Sequence, residues 1–414
     1  MTNTADSKKH AILSPSGAGK WMECSASAYA EIGAEDESSV YAEEGTAAHL
    51  LHSCCIEKEQ DAIVYLGNKI VINKGEAVWT NYQDPKDTRR YFVVDDEMAA
   101  QVQKSLDRVR EYVGPGGVIF GEQRLSISHL TGEEDAFGTA DVVIINTDEL
   151  QVHDLKYGRG VVVDAEMNKQ LLIYALAAYD VYQYYDDFKT VRIVIHQPRL
   201  NHHPEFVLTV EELVAFGELV KVKAALALDI YMSVVEPGYS AGMHCHDYYC
   251  KARVGCEALK KLSLEIAAEA ELAVQIGISN EELGALATQI PIAEKYFKEV
   301  YAKVNSEVLN GRAVPGFKLV MGKLGDREWT DEKDVVKELT TLGLTQDKIW
   351  TKKIISPTKA GGLKLGKAVD ERLAALTKRA PGKPAVAPES DKRPAIELTP
   401  ESDFENLNEN GEPE

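Results

Sequence analysis

The chain has 414 residues, of which 44% are hydrophobic, and its formal net charge at pH 7 is −20. This length is enough for two or three packed units, and the sequence contains no apolar run of about 18 residues or more, which excludes a membrane-spanning helix from the expected structure. The N-terminal residues also lack the apolar stretch of a signal peptide, so we expect a cytoplasmic protein with no membrane partner.

The predicted elements follow the order helix, three strands, helix, strand and helix, which is typical of an α/β core with a mixed sheet. Residues 1–60 are predicted to be mainly helical, and residues 61–95 to form an irregular, hairpin-like insertion. The periodicity of apolar residues then predicts the core elements. These are a helix at Asp95–Val113, a strand at Val118–Ile127, a hairpin at Phe137–Gly160, a helix at Met167–Tyr185, a strand at Thr190–Leu200 and a helix at Val210–Val235.

The C-terminal third of the chain has a different composition from the core. Helical periodicity continues through residues 257–309, and Pro, Glu, Asn and Asp dominate after about residue 380, which predicts a disordered tail. We therefore expect a core with an N-terminal helix and a cysteine cluster over 1–260, a helical segment over 261–312, a small α+β region over 313–380 and a disordered acidic tail over 381–414.

The predicted hairpin carries charged residues at one end of an apolar face. If Thr147 and Asp148 form a two-residue turn, Asp141 lies opposite Asp154, with Cβ atoms roughly 5 Å apart. Lys156 shares a strand face with Asp154, because side chains alternate along a strand. Two such carboxylates repel each other, so this edge predicts a bound divalent cation with oxygen ligands. The alternative is a solvated hairpin end with a surface Asp–Lys pair.

Further polar residues accompany this hairpin. Gln170 and Tyr174 are four residues apart and share a face of the following helix. His49 lies on an N-terminal predicted helix, and its imidazole is a good ligand for a transition metal such as Mn²⁺. Glu122 lies in the strand before the hairpin. Taken alone, each of these residues also has a purely structural explanation.

Together these residues form an ordered series of motifs that resembles the RecB-like branch of the PD-(D/E)XK nuclease superfamily. The motifs are Gly45 to His49, Glu122, Gly138 to Asp141, Asp154-Leu155-Lys156 and Gln170 to Tyr174. The resemblance covers roughly residues 10–260 and implies a restriction-endonuclease-like α/β fold. One departure is that Ala140 precedes Asp141, where the superfamily name has proline.

The resemblance also implies roles for the individual residues. His49, Glu122, Asp141, Asp154 and the carbonyl of Leu155 would bind one or two Mg²⁺ or Mn²⁺ ions. Asp141, Asp154, Lys156, Gln170 and Tyr174 would form the catalytic set. Arg159 and Lys169 would contact DNA phosphates.

A second cluster consists of cysteines. Cys245, Cys250 and Cys256 lie within twelve residues, and Cys24 lies far upstream. The residues alone allow a zinc site completed by the neighbouring histidines, a four-thiolate [4Fe–4S] cluster, or thiols without a metal. One cysteine before the nuclease core and three after it resemble the AddB-like subgroup, which implies a [4Fe–4S] cluster. Cys54 and Cys55 are expected to be core thiols.

These observations predict a metal-dependent DNA exonuclease that hydrolyses phosphodiester bonds during phage-type DNA recombination or replication. Segments 315–320 and 355–360 also resemble a family encoded by phages and prophages, which implies the cytoplasm of a bacterial host. The partners expected beside DNA are a single-strand-binding or annealing protein, or a helicase. The alternative is a non-catalytic DNA-binding or recombination-assembly protein on the same fold, stabilised by an iron–sulfur cluster or by zinc.

Overall fold

The computed structural model of the protein describes residues 11–34, 39–81 and 88–317. Residues up to Pro315 belong to one compact unit. The predicted α+β region from residue 318 onward and the predicted acidic tail lie outside the described residues.

Eight strands and ten α-helices make up the described chain. The strands are β1 (Lys69–Asn73), β2 (Glu76–Thr80), β3 (Tyr91–Val93), β4 (Val118–Ser126), β5 (Phe137–Asn146), β6 (Glu149–Leu155), β7 (Thr190–His196) and β8 (Glu205–Thr209). The helices are α1 (Ala18–Trp21), α2 (Ser27–Ala30), α3 (Val40–Glu57), α4 (Asp96–Glu111), α5 (Ser128–Thr131), α6 (Lys169–Tyr182), α7 (Val210–Tyr231), α8 (His244–Asp247), α9 (Glu257–Ile276) and α10 (Asn280–Leu309). Short 3₁₀ turns lie at Pro15–Gly17, Ala62–Tyr65 and Pro198–Leu200.

The central sheet has five strands in the order β4-β5-β6-β7-β8. It is mixed, because β6 and β7 are parallel and the other neighbours are antiparallel. The parallel pair is joined through α6, as parallel strands require a crossover connection. This architecture confirms the predicted mixed α/β fold and is consistent with a restriction-endonuclease-like core.

Helices cover both faces of this sheet. Val143 and Val152 point into the main apolar core, which they share with residues of α6 and α7 such as Leu172. Val142, one residue from Val143, points to the opposite face and packs with Val109 of α4. This alternation confirms the apolar hairpin face predicted from the sequence.

Three predicted segments differ from those in the structure. The segment at 61–95 is more regular than expected, because β1, β2 and β3 pair into a separate antiparallel sheet. The strand beginning at Thr190 ends at His196, since Pro198 starts a 3₁₀ turn and cannot donate to a strand ladder. Helix α6 begins at Lys169 because Met167 has a left-handed φ of 51° and the side chain of Asn168 caps the helix.

The C-terminal part of the described chain is helical, as predicted. Gly277 has a φ of 72° and separates α9 from α10, and Ser279 begins α10 with a capping box. Within the described residues, no helix is long and apolar enough to cross a membrane.

Candidate functional site

The hairpin β5–β6 brings the two candidate carboxylates to the same end of the sheet. The observed register pairs Asn146 with Glu149 and Val142 with His153, so Asp141 is the next position and faces Asp154. The turn consists of Thr147 and Asp148, and Asp148 has a left-handed φ of 62°. This is the register predicted from a two-residue turn.

Asp141 is held by partners from two other segments. Its Oδ1 lies 3.2 Å from Nδ1 of His49 on α3, and its Oδ2 accepts a hydrogen bond of 2.8 Å from the backbone N–H of Leu155. Burial opposes ionisation of this carboxyl, but His49 and the Leu155 N–H outweigh burial and lower its pKa to about 2. Asp141 is therefore an anion at neutral pH.

Asp154 is almost fully buried, with 4% of its surface exposed. Its Oδ2 lies 2.9 Å from Nζ of Lys156, and its Oδ1 accepts a hydrogen bond of 3.2 Å from Nε2 of Gln170. Burial raises the pKa of this carboxyl, and the nearby Asp141 raises it further. The Lys156 ammonium is thus the charged partner of Oδ2.

Gln170 links the two members of this ion pair. Its Oε1 accepts a hydrogen bond of 3.1 Å from Nζ of Lys156, while its Nε2 donates to Asp154. Burial lowers the pKa of Lys156, but the Asp154 carboxylate outweighs burial and raises it. Gln170 thus fixes the lysine against the carboxylate from the first turn of α6.

Tyr174 lies one helical turn beyond Gln170 and is 7% exposed. Burial raises the pKa of its hydroxyl, and Asp154 raises it further, so the phenol stays neutral. Its ring packs closely on Gly138 of β5, where a Cβ atom would lie 2.6 Å from Cε1 of the ring. This contact explains why the G-x-x-D motif has glycine at its first position.

Glu122 is less closely associated with these residues than predicted. It lies across from Asp141, because its neighbours Gly121 and Gln123 pair with Val142 and Ala140. The side chain is exposed, and the backbone has a left-handed φ of 43°.

The predicted ligands include carboxylates and an imidazole, which are suitable ligands for a divalent cation. In the structure, however, Asp141 contacts His49, and Asp154 contacts Lys156 and Gln170. As the side chains stand, the described part of the chain holds no group of three or more His, Cys, Asp or Glu residues arranged to bind a metal ion. The carboxylates of Asp141 and Asp154, with the imidazole of His49, nevertheless form a donor set of the type that Mn²⁺ prefers. The buried Oδ2 of Asp154 already lies against a positive charge, the Lys156 ammonium, which is the type of charge that a metal ion would supply. Binding would require these side chains to leave their present partners.

The two predicted DNA contacts are engaged in ion pairs within the chain. Arg159 is 61% exposed at its side chain and pairs with Glu97, and Lys169 pairs with Glu23. Lys169 directly precedes Gln170 on α6. Arg159 lies in the loop that connects β6 to α6.

Three of the four cysteines of the second cluster, Cys245, Cys250 and Cys256, pack in one apolar cluster, and Cys24 packs in another with Ala26 and Ile230. Burial raises the thiol pKa of Cys24, Cys245 and Cys250, to about 11 for Cys250. Among the smaller causes, Cys256 raises the pKa of Cys24, Cys24 raises that of Cys245, and Cys245 raises that of Cys250. Cys24 is therefore within electrostatic range of Cys245 and Cys256.

Backbone groups and histidines around the cysteines bear on the metal that they could hold. The backbone at Ser240, Gly242 and Ala252 lowers the thiol pKa of Cys24, Cys245 and Cys250, respectively, but burial outweighs this effect. His244 Nε2 instead lies 3.1 Å from the carbonyl oxygen of Ser240, and His246 Nδ1 lies 3.3 Å from Glu299. Both histidines thus contact polar groups outside the set of four cysteines.

Cys54 and Cys55 lie outside this cluster. Cys55 is fully buried in the apolar core around α3, and Cys54 accepts a hydrogen bond of 3.1 Å from Nε1 of Trp79. Both are core thiols, as predicted.

One partly buried residue near the site was not predicted from the sequence. Arg199, in the 3₁₀ turn after β7, forms two hydrogen bonds with the carboxylate of Glu44 on α3. In the sequence, Arg199 stands out only as a basic residue soon after an apolar strand. A basic residue at such a place is also typical of a surface turn.

The chain matches a protein family whose description gives no activity. A family model described as "Protein of unknown function (DUF2800)" matches residues 10–394, which is most of the chain. The matched range includes all residues of the acidic site and the four clustered cysteines. The protein therefore belongs to the DUF2800 family.

Proposed function

We propose that the protein is a metal-dependent DNA nuclease that acts as an exonuclease in phage-type recombination or replication. The observation that carries this proposal is the convergence of side chains from four separate elements on one sheet end. These side chains are His49 of α3, Asp141 of β5, Asp154 with Lys156 at the end of β6, and Gln170 of α6. A surface ion pair would not require the glutamine bridge or the burial of Asp154.

In this proposal His49, Asp141, Asp154 and the carbonyl of Leu155 would hold Mg²⁺ or Mn²⁺. A bound ion would supply two effects: it lowers the pKa of a water molecule and stabilises negative charge on the scissile phosphate. Glu122 is a weaker candidate ligand, because its side chain is exposed and its backbone turns away from regular strand geometry.

The protein side chains would supply the remaining catalytic effects. Lys156 has a raised pKa and is protonated at neutral pH, so we assign it to stabilising charge on the phosphate in the transition state. Gln170 holds that ammonium in place. Tyr174 keeps its proton, and we assign it to positioning Gln170 and the DNA strand rather than to nucleophilic attack.

The cysteines and the basic residues complete the proposal. Cys24, Cys245, Cys250 and Cys256 would hold a [4Fe–4S] cluster that fastens the N-terminal segment to the segment before α9. Arg159 and Lys169 would contact DNA phosphates after exchanging their present partners, Glu97 and Glu23. Further partners would be a single-strand-binding or annealing protein, or a helicase.

A second candidate is a non-catalytic DNA-binding or assembly protein on the same fold. It is favoured by the net charge of −20 and by the ion pairs that already occupy Arg159 and Lys169. The intact set of Asp141, Asp154 and Lys156 favours the nuclease.

The two candidates are separated by digestion of end-labelled linear DNA and closed circular DNA with Mg²⁺ or Mn²⁺. We expect loss of the linear DNA only, and no digestion by a Lys156→Ala variant. Equal digestion by both proteins would rule out the proposed site. No digestion by the wild-type protein, combined with retained DNA binding, would favour the second candidate.

A further inference from the structure

Arg199 is a nearly buried cation in the 3₁₀ turn that follows β7. Its side chain is 10% exposed, and its Nη1 and Nη2 donate hydrogen bonds of 3.0 and 2.6 Å to the two carboxylate oxygens of Glu44. The guanidinium carbon lies 4.0 Å from the centre of the Tyr157 ring, and Nε lies 3.4 Å from Oε1 of Glu97. One side chain thus contacts three other segments of the chain.

Two of these contacts lead directly to the acidic site. Glu44 lies on α3, five residues before His49, which contacts Asp141. Tyr157 directly follows Lys156, which pairs with Asp154. Arg199 therefore connects the helix that carries the histidine to the strand end that carries the lysine.

The contacts of Arg199 can fix the positions of Glu44 and Tyr157 relative to each other. A planar guanidinium that binds both oxygens of one carboxylate and stacks on an aromatic ring restricts its partners in distance and in angle. Helix α3 is a regular helix of 18 residues, so a displacement at Glu44 is transmitted to His49. Arg199 is only 10% exposed and its Nη atoms bind Glu44, so we assign it no contact with substrate.

A similar arginine at the other end of the sheet serves as an internal comparison. Arg192 of β7 binds both carboxylate oxygens of Glu149, at 3.1 and 3.0 Å, and lies 6.0 Å from the ring centre of Tyr112. Arg192 pairs across from Gln151, whereas Asp154 and Leu155 lie at the opposite end of the same two strands. The two arginines share their chemistry and differ in their distance from the acidic site.

We propose that Arg199 is a positioning residue of the proposed nuclease site, which sets His49 and Lys156 relative to the two carboxylates through Glu44 and Tyr157. This inference rests on the proposed nuclease function. It assigns to Arg199 no contact with substrate or with a metal ion.

The test compares Arg199→Gln with Arg192→Gln in the full chain, with Mn²⁺ and end-labelled linear DNA. We expect Arg199→Gln to lower kcat roughly 10²-fold, as small misplacements of catalytic groups do, with KM for DNA unchanged. Arg192→Gln should retain kcat within about twofold of wild type, a margin set by the usual effect of changes remote from a site. Arg199→Lys keeps the charge but loses the paired hydrogen bonds, so its kcat should be intermediate.

A double-variant comparison and a structural measurement separate positioning from general stability. Glu44→Gln should lower kcat to a similar extent, and combining it with Arg199→Gln should add little, because both remove the same contact. Hydrogen exchange should accelerate at residues 40–57 in Arg199→Gln but not in Arg192→Gln.

The outcomes distinguish this inference from the proposed function. Absence of cleavage by the wild-type protein would overturn the proposed function and the inference that rests on it. Cleavage by the wild type together with equal kcat for Arg199→Gln and Arg192→Gln would overturn the inference alone. If Arg199→Gln does not fold, an unchanged kcat for Arg199→Lys overturns the inference in the same way.

Discussion

Lys156 Nζ lies 2.9 Å from Oδ2 of Asp154, and this ion pair takes the position at which a cation would neutralise the buried carboxylate. Asp141, its neighbour across the hairpin, instead contacts His49 of α3. Each carboxylate thus has its own partner. The arrangement predicts that removal of the lysine affects both catalysis and the environment of Asp154.

We therefore expect Lys156→Ala to lower DNA cleavage by roughly 10² to 10³-fold, because a donor aimed at the developing phosphate charge is lost. The variant should also be destabilised by about 1 to 3 kcal/mol in the absence of metal, since a buried carboxylate loses its partner. Cleavage of end-labelled DNA and urea unfolding would measure the two effects. Lys189→Ala is a suitable control, because Lys189 pairs with Asp148 at the exposed far end of the same hairpin. Equal cleavage by the two variants would contradict the role of Lys156.

The hairpin was predictable from the sequence because its determinants are local. Alternation fixed which residues face the core, and a two-residue turn fixed the register that brings Asp141 opposite Asp154. The spacing of Gln170 and Tyr174 similarly fixed their common helix face.

The contacts that depend on distant segments were not predictable. Arg199 and Glu44 are 155 residues apart, and nothing in the pattern around either residue specifies the other. Strand β8 was also missed, because its five residues lie between a 3₁₀ turn and α7 and are too few to establish a period. The ion pairs of Arg159 and Lys169 likewise depend on where Glu97 and Glu23 lie in the fold.

A second prediction concerns the clustered cysteines. If they hold a [4Fe–4S] cluster, the anaerobically purified protein should be coloured, and Cys250→Ser should lose both the visible absorbance and several degrees of thermal stability. Cys54→Ala is the control, because Cys54 lies in the core around α3 and contacts Trp79. A colourless wild-type protein with bound zinc would contradict the iron–sulfur assignment, and metal analysis of the same sample would show it.

A third prediction follows from buried histidines on the sheet face opposite the main core. His153 is fully buried: its Nε2 donates a hydrogen bond of 2.9 Å to Oε1 of Gln151, and its Nδ1 accepts one of 2.9 Å from Nε2 of His196. His52 Nε2 lies 3.1 Å from the hydroxyl of Ser105. Burial lowers the pKa of His153 to about 3 and that of His52 to about 4. These imidazoles therefore remain neutral in the folded protein at pH values where the unfolded chain binds protons.

The stability that they contribute is present in full above the ordinary pKa of 6.5 and is lost as the pH falls toward 4. Each histidine should reduce the free energy of unfolding by about 1.4 kcal/mol per pH unit in this range. Urea unfolding at pH 7, 6 and 5 should show a smaller loss in His153→Gln than in the wild type. His129→Gln is the control, because His129 is exposed. If the free energy of unfolding falls equally between pH 7 and pH 5 in the wild type and in His153→Gln, the lowered pKa of His153 is contradicted.

A fourth prediction tests the close contact between Gly138 and Tyr174. A Cβ atom at residue 138 would lie 2.6 Å from Cε1 of Tyr174 and 2.8 Å from Cγ of Pro15, and both of these atoms belong to rings. Gly138→Ala should therefore destabilise the protein by about 1 to 3 kcal/mol through overpacking, and it should lower DNA cleavage by moving Tyr174.

Gly284→Ala provides the matched control for this substitution, because a Cβ atom there would have no neighbour within 4 Å. Gly284 lies in α10, so alanine should stabilise that helix by up to about 1 kcal/mol and leave cleavage unchanged. Urea unfolding and cleavage rates of the two variants, measured side by side, separate the effect of the contact from the general effect of replacing glycine. A Gly138→Ala variant as stable and as active as the wild type would mean that Tyr174 has room to move, and that its packing on β5 does not set the geometry of the site.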